Sequence, residues 1–161
     1  MASQHFFELD VSDAQKDIGG SSIQQDNGLK ATVVGSGSSA VVVGVFDGHG
    51  VDRGQHFSKI CKDQLNEIIS EPSFKDQFDA NPEEFGHEIF LKMHTACFEF
   101  NKNCLDEKGI EYEERDGLLY LENIQTIRGG STATIIIACD DGTIHCFNAG
   151  DTDAWVIHNN K

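Results

Sequence analysis

The sequence is poor in basic residues. It has 12 lysines and arginines against 27 aspartates and glutamates, so its 161 residues carry a formal net charge of −15. Proteins bind nucleic acid largely by neutralising its phosphates with lysine and arginine, so we expect no nucleic-acid partner. The same charge would repel a phosphorylated substrate unless a bound cation reversed the local field.

Segments that direct export or membrane insertion are also lacking. The first residues resemble no secretory signal, and no run of about 18 apolar residues occurs. The cysteines form an odd set without a C-x-x-C pair, which favours reduced thiols over a disulfide framework. They are Cys61, Cys97, Cys104, Cys139 and Cys146. We therefore expect a cytoplasmic or nuclear protein that does not bind a membrane.

The composition is that of a globular domain. Hydrophobic residues make up 39% of the chain and charged residues 24%, proportions that are typical of folded soluble proteins. The length suits one hydrophobic core but hardly two. We predict a single domain over residues 1–161.

The first half of the chain predicts a hairpin followed by two helices. The β-rich runs Ala31–Val34 and Ala40–Phe46 are joined by small, flexible residues. Apolar residues then recur at helical spacing from Arg53 to Ser70, which indicates an amphipathic helix. A second helix is expected to begin at Asn81, because Asn is a good cap and Pro82 suits the first turn.

The second half predicts a meander of strands. Glu111–Gly117 is acidic and turn-like, so we expect a solvated loop there. Thr132–Cys139 is apolar on both faces, as in a strand covered on both sides. Thr143–Asn148 and Ala154–His158 are expected to complete an antiparallel meander, with Asp151 in the turn between them. The order of hairpin, helices and meander indicates an α+β fold.

The most informative stretch is the end of the first hairpin, where an apolar strand runs into Asp47-Gly48-His49-Gly50. A carboxylate at the end of a rigid strand, beside glycines, is well placed to bind a hard cation such as Mg²⁺ or Mn²⁺. The alternative is an ordinary Asp-Gly turn. Asp26 and Asp151 are also expected at strand ends, so a metal site requires that these acids converge with Asp47.

Three segments resemble, in order, the signatures of the metal-dependent protein phosphatases, the type 2C or PPM family. They are VFDGHG at 45–50, GGSTA at 129–133 and NAGDTDA at 148–154. The resemblance covers about residues 19–158 and matches the N-terminal part of that family's catalytic domain. It implies an antiparallel β-sandwich flanked by α-helices, apparently incomplete at the C-terminus, and hydrolysis of phosphoserine and phosphothreonine by a metal-activated water.

The resemblance also implies roles for individual residues. Asp47 and the Gly48 carbonyl would bind the Mg²⁺ or Mn²⁺ ions, and His49 would act as general acid on the departing oxygen. Asp26 would steady a metal-bound water, and Asp151 would serve a weaker third metal. Each of these residues also has an ordinary interpretation as a cap or turn residue. The glycines and hydroxyl residues of 129–132 are expected to be structural.

Three departures from the family pattern leave the activity of this chain open. Gln25 occupies a place where relatives often carry a metal-binding glutamate, so its amide oxygen would be a weaker ligand. Ser21 stands where an arginine often grips the substrate phosphate. The family's later D-G and D-N aspartates lie beyond Lys161 in the pattern. We expect weak metal binding and an exposed apolar sheet face that a protein partner would cover.

The sequence also bears on functions other than phosphatase activity. The main alternative is a non-catalytic phosphatase-like scaffold or assembly subunit, a pseudophosphatase. A calcium-binding module is disfavoured because the chain has no twelve-residue EF-hand loop. A zinc site at His87, His94 and Cys97 lacks a fourth ligand at a familiar interval. The thiols of Cys61, Cys139 and Cys146 are expected to be buried and inert.

Overall fold

The computed structural model describes residues 24–35, 37–50, 53–121, 125–126 and 129–155. The helices are α1 (Gly54–Ser70), α2 (Phe74–Ala80) and α3 (Pro82–Asp106). The strands are β1 (Asp26–Val34), β2 (Ser39–His49), β3 (Tyr112–Arg115), β4 (Leu118–Leu121), β5 (Gln125–Thr126), β6 (Gly130–Ser131), β7 (Ala133–Cys139) and β8 (Ile144–Ala149). Ser21 lies outside the described residues.

The main sheet is antiparallel and has the strand order β1-β2-β7-β8, with the short β6 paired to the end of β2. A separate three-stranded sheet has the order β3-β4-β5. Antiparallel sheets combined with helices confirm the predicted α+β class. In β2 the side chains alternate, because successive residues of a strand point to opposite faces. Ala40, Val42 and Phe46 are buried on one face.

The helices cover that buried face and form the core with it. Leu65 of α1 and Ile89 of α3 pack among the strand residues Phe46, Ile135 and Ile137, and each is at most 1% exposed. Full burial of such a side chain contributes about 1.5–3 kcal/mol to stability. Truncating Leu65 to alanine would therefore remove part of the contact that fixes α1 on the sheet. None of the helices in the described residues combines the length and apolar character needed to cross a membrane.

The predicted start of the long helix α3 is confirmed. The Asn81 side-chain oxygen accepts a hydrogen bond from the backbone N–H of Glu84 at 3.3 Å, and its amide donates to the Glu84 carboxylate at 2.7 Å. These contacts satisfy a backbone donor that the helix itself leaves unpaired. Helix α2 was not predicted, because its seven residues span barely two turns and show no clear period. The rings of Phe74 and Phe78 hold it against Phe85 of α3.

A buried lysine ties α2 to the hairpin turn of β1 and β2. The Lys75 side chain is 2% exposed, and its Nζ lies 2.5 Å from an Asp79 carboxylate oxygen. Nζ also donates to the Ser38 hydroxyl at 2.9 Å, while that hydroxyl donates to Asp79 at 2.9 Å. The buried charge is therefore paired and hydrogen-bonded, as a charge removed from water must be.

Three predictions about the second half of the chain are corrected. The expected loop Glu111–Gly117 is wrong, because β3 and β4 form a hairpin whose turn, Asp116-Gly117, has positive φ at both residues (51° and 73°). Asp-Gly favours this turn, and the acidic strand preceding it masked the pattern. In Ala154–His158, the first two residues lie outside any strand and the last three outside the described residues. Cys146 is exposed rather than buried, because it lies on the face of the sheet opposite the helices.

The sheet face opposite the helices carries exposed apolar side chains. Val34 of β1 is 73% exposed, Val45 of β2 is 40% exposed and Ile144 of β8 is 41% exposed. We call this surface the open face. Asp26 and Asp47 extend from the same face at one end of the sheet, because they alternate with the helix-facing residues of their strands.

Candidate active site

The antiparallel topology brings the three predicted acids to one end of the sheet. The beginning of β1, the end of β2, the beginning of β7 and the end of β8 all meet there. In the β1–β2 register Asp26 lies directly opposite Asp47. Asp151 follows the end of β8, and His49 pairs with Gly130 of β6 beside them. This end of the sheet therefore presents the three predicted carboxylates together with the imidazole of His49.

The charges of these groups act on one another. Burial raises the pKa of Asp47 above its ordinary value, a hydrogen bond with Asp26 and the negative charges of Asp26 and Asp151 raise it further, and His49 opposes the shift. Carboxylates on facing strand positions repel each other, which disfavours the charged form of Asp47. A cation placed among them would relieve this repulsion. The site is therefore electrostatically unfavourable as it stands and suited to positive charge.

Thr132 forms hydrogen bonds with both backbone polar groups of Asp47. The N–H of Asp47 donates to the Thr132 hydroxyl at 3.1 Å, and the N–H of Thr132 donates to the Asp47 carbonyl at 2.8 Å. Thr132 is 6% exposed. The predicted structural role of this residue is consistent with the contacts, but the sequence did not reveal that Thr132 fixes Asp47 itself.

A second set of hydroxyl contacts fixes the turn that carries Asp151. The hydroxyls of Thr132 and Thr152 are 2.7 Å apart. Two residues further along, on β7, the Thr134 hydroxyl donates to the Asn148 side-chain oxygen at 2.7 Å and lies 3.2 Å from the Thr152 carbonyl. Both ends of the turn are thus tied to β7. Sequence reasoning missed these residues, although polar side chains in an otherwise apolar strand were a visible signal.

Ser58 of α1 performs the corresponding function for Asp26. Its hydroxyl is fully buried, donates to the Gln25 carbonyl and accepts from the Asn27 side-chain amide at 2.9 Å. The Gln25 carbonyl also accepts from the N–H of Gly48 at 3.2 Å. The residues on both sides of Asp26 are therefore anchored. Ser58 was missed because one serine on a helix gives no signal of its partner.

Gly48 is required by the close approach of three chain segments. A side-chain carbon at this position would lie 2.1 Å from the Gly54 carbonyl oxygen and 2.6 Å from the Gln25 carbonyl oxygen. These are backbone atoms that cannot move aside. Glycine therefore allows the end of β2, the start of α1 and Gln25 to meet directly beneath Asp47.

Gln25 is turned toward this junction. Its side-chain amide donates to the Gly50 carbonyl at 3.2 Å, and its amide oxygen lies near Gly54. The amide nitrogen is thus used to join β1 to the loop before α1. The metal-ligand role of Gln25 remains a prediction that would depend on its amide oxygen, and the roles of Asp26, Asp47, Gly48, His49 and Asp151 likewise remain predictions.

The donor chemistry fits a hard divalent cation in kind but not in number. The groups at this end of the sheet are carboxylates and carbonyls, which Mg²⁺ and Mn²⁺ prefer. Within residues 24–155 as the structure describes them, no three side chains of the metal-binding types are grouped closely enough to hold an ion unaided. Metal binding here would need further oxygen ligands from water, substrate or additional protein.

Comparison with known proteins agrees with the arrangement. The family model described as Protein phosphatase 2C matches residues 11–161. A 110-residue stretch is 34% identical to Protein phosphatase 2C homolog 2 of Schizosaccharomyces pombe, covering 68% of this chain and 22% of that protein. The chain thus spans about a fifth of the length of this curated relative. No solved structure matches the chain significantly.

Proposed function

The chain belongs to the protein phosphatase 2C family, and on that premise we propose that it forms part of a metal-dependent protein serine/threonine phosphatase site. The observation that carries the proposal is the position of Asp47, which lies opposite Asp26 and close enough to Asp151 for their charges to act on it. Phosphorylated proteins are the proposed substrates, hydrolysed at phosphoserine or phosphothreonine.

Each residue has a defined part in this proposal. The Asp47 carboxylate and the Gly48 carbonyl would hold the metal, with Asp151 and the Gln25 amide oxygen as additional ligands. Bound Mg²⁺ or Mn²⁺ would supply the positive charge that holds the phosphate and acidifies a water molecule. Asp26 would orient the attacking water by accepting a hydrogen bond from it, and His49 would donate a proton to the leaving serine or threonine oxygen.

The charge of the whole chain supports a role for the cation. At a formal net charge of −15, the protein would repel a phosphoryl group, and the repulsion among Asp26, Asp47 and Asp151 adds to this locally. A divalent cation at Asp47 reverses the field at the point where phosphate must bind. We also propose a cytoplasmic or nuclear location, which is supported by the five free cysteines.

The open face supports a second candidate function. Its exposed residues Val34, Val45 and Ile144 suit contact with further protein better than contact with water. A non-catalytic scaffold that binds a partner through this face would use the same fold without the metal. The two functions differ in whether Asp47 matters.

The test is Asp47→Asn, with Asp153→Asn as its matched control. Asp153 is exposed near the same end of the sheet but has no proposed role. We expect wild type and the control to bind Mn²⁺ weakly by calorimetry and to hydrolyse a phosphothreonine peptide. Asp47→Asn should lose at least about 100-fold in both, since even residues that only support a metal ligand typically contribute 10–100-fold.

Two outcomes would contradict the phosphatase proposal. One is a wild-type protein that is folded by circular dichroism yet neither binds Mn²⁺ nor hydrolyses the peptide. The other is equal activity in wild type and Asp47→Asn. Partner binding that is unchanged by Asp47→Asn but lost on Val45→Glu would favour the scaffold.

A further inference from the structure

Helices α1 and α3 bring two cysteines together at the hydrophobic core. The sulfur atoms of Cys61 and Cys97 are 3.9 Å apart, although the residues are separated by 36 positions in the chain. Cys61 is 5% exposed and Cys97 is half-buried. Disulfide sulfurs lie about 2 Å apart, so side-chain rotation and a small approach of the helices would join them.

The pair lies in the wall of a cavity that a small molecule can enter. The cavity has a volume of about 360 Å³ and is partly open to solvent. It lies between the two helices, the β3–β4 hairpin and the edge of the main sheet, with a mainly apolar lining that includes Phe57, Phe90 and Met93. Cys61 is therefore reachable by a small uncharged reagent although it is almost fully covered by protein.

The contact between the two thiols shifts their pKa values in opposite directions. The hydrogen bond with Cys97 lowers the pKa of the Cys61 thiol, and burial opposes the shift. The pKa of Cys97 is raised by the same hydrogen bond, by burial and by the charge of Cys61. Thiolates rather than thiols attack oxidants. These opposite shifts favour Cys61 as the attacking sulfur and Cys97 as the one that follows.

We propose that Cys61 and Cys97 form an oxidative modification site for hydrogen peroxide, which converts the pair into a disulfide joining α1 to α3. The Cys61 thiolate attacks one peroxide oxygen, the O–O bond breaks, and the leaving hydroxide takes up a proton to become water. The Cys97 thiol then loses its proton, its sulfur attacks the Cys61 sulfenic acid, and a second water leaves. Two thiols and one peroxide give one disulfide and two waters, and a dithiol reductant reverses the reaction.

The disulfide would reinforce an existing contact between the helices. The Arg53 guanidinium, just before α1, donates to the Asn101 side-chain oxygen at 2.5 Å, one turn beyond Cys97 on α3. A covalent link at Cys61 would hold the same two helices from a second point. Because cross-linking reduces the freedom of the unfolded chain, we expect the oxidised protein to be more stable than the reduced one.

The test is peroxide treatment of the folded chain, followed by alkylation, digestion and mass spectrometry. We expect a peptide linked through Cys61 and Cys97, lighter by two hydrogen atoms than the reduced pair and separated by dithiothreitol. The Tm should rise by roughly 5–15 °C on oxidation. In Cys97→Ser, Cys61 should stop at the sulfenic acid and be trapped by dimedone.

Cys104→Ser is the matched control, because Cys104 is also half-buried and lies two turns further along α3. It should leave the crosslink and the rise in Tm unchanged. The wild-type peptide map requires no substitution, so the proposal stays testable if a variant fails to fold. Separate alkylation of Cys61 and Cys97 after peroxide treatment, or a disulfide formed instead through the exposed Cys146, would overturn it.

Discussion

The two ends of the main sheet treat their carboxylates in opposite ways. At the end that contains the hairpin turn, Lys75 pairs with Asp79 and lowers its pKa, and Asp140 accepts hydrogen bonds from the N–H and hydroxyl of Ser39. At the other end, Asp47 faces Asp26, and the pKa of Asp47 is raised. The carboxylates at the first end have ion-pair or hydrogen-bond partners, whereas those at the second end face each other.

The difference indicates which end was shaped for stability and which for chemistry. Paired, hydrogen-bonded carboxylates stabilise the fold, whereas unpaired carboxylates of like charge cost stability and are commonly kept at functional sites. The backbone at the acidic end, in contrast, is stabilised. Hydrogen bonds to Thr132 and Ser58 fix the residues around Asp47 and Asp26. A rigid backbone that carries mutually repelling carboxylates is the arrangement expected of a cation-binding site.

The largest effect in this comparison should come from Lys75→Ala. We expect the free energy of unfolding to fall by about 2–3 kcal/mol, less than the 3–5 kcal/mol typical of breaking a fully buried pair. The expected loss of stability is smaller than for a fully buried pair because Asp79 is 43% exposed and can be solvated. Urea titration followed by circular dichroism measures the change.

The matched control for Lys75 is Lys59→Ala. Lys59 forms the same i,i+4 ion pair with Asp63, also at 2.5 Å, but their side chains are 64% and 56% exposed. Exposed pairs of this kind contribute about 0.3–0.5 kcal/mol. Equal losses in the two variants would show that burial does not distinguish the pairs and would break the comparison.

A smaller effect is expected at the acidic end from Thr132→Val. The change keeps the shape of the side chain but removes the hydroxyl that accepts from the N–H of Asp47. An unsatisfied buried donor typically costs about 1–3 kcal/mol, and partial access of water to this end of the sheet puts our expectation near 1–2 kcal/mol. Mn²⁺ affinity should fall too, because Asp47 would no longer be held in place.

The exposed Thr95 of α3, whose hydroxyl bonds only to the Leu91 carbonyl within its own helix, supplies the control. Thr95→Val should change the free energy of unfolding by no more than about 0.5 kcal/mol. If Thr132→Val were equally mild in both stability and Mn²⁺ affinity, Thr132 would be ordinary core packing rather than the residue that positions Asp47.

The sequence predicted the elements better than the contacts between them. Helical spacing identified α1 and α3, and two β-rich runs joined by small, flexible residues identified the first hairpin. The β3–β4 hairpin was not predicted, because its acidic residues favoured a solvent-exposed loop, although Asp116-Gly117 was a turn signal. Local patterns determine elements, but the surroundings decide whether a polar segment pairs.

The candidate site shows the same limit. Strand-end position was enough to select Asp26, Asp47 and Asp151, but only the register of β1 and β2 places the first two opposite each other. A one-residue slip would send them to opposite faces of the sheet. Ser58 and Thr132 could not be recognised, because their partners are backbone atoms distant in the sequence. Positioning contacts of this kind are visible only in the folded chain.

The smallest effect, and the one that tests the comparison most directly, is expected from Asp26→Asn in the absence of metal. A raised pKa in the folded state means that Asp47 costs stability as the pH rises from below its ordinary value of 3.8 through its folded value. Removing the charge of Asp26 should lower the pKa of Asp47 and reduce that cost. Near neutral pH the variant should therefore be more stable than wild type by less than about 1 kcal/mol.

Asp79→Asn should give the opposite sign, since the pKa of Asp79 is lowered in the folded protein. Its stabilising contribution is present above the ordinary carboxylate pKa and is lost as the pH falls through the folded value. Urea titrations from pH 3 to pH 7 should show the advantage of Asp26→Asn disappearing toward low pH, together with the disadvantage of Asp79→Asn. Adding Mn²⁺ at neutral pH should stabilise wild type more than Asp26→Asn. If both asparagine variants shift stability in the same direction at pH 7, the two ends of the sheet do not differ as their carboxylates suggest.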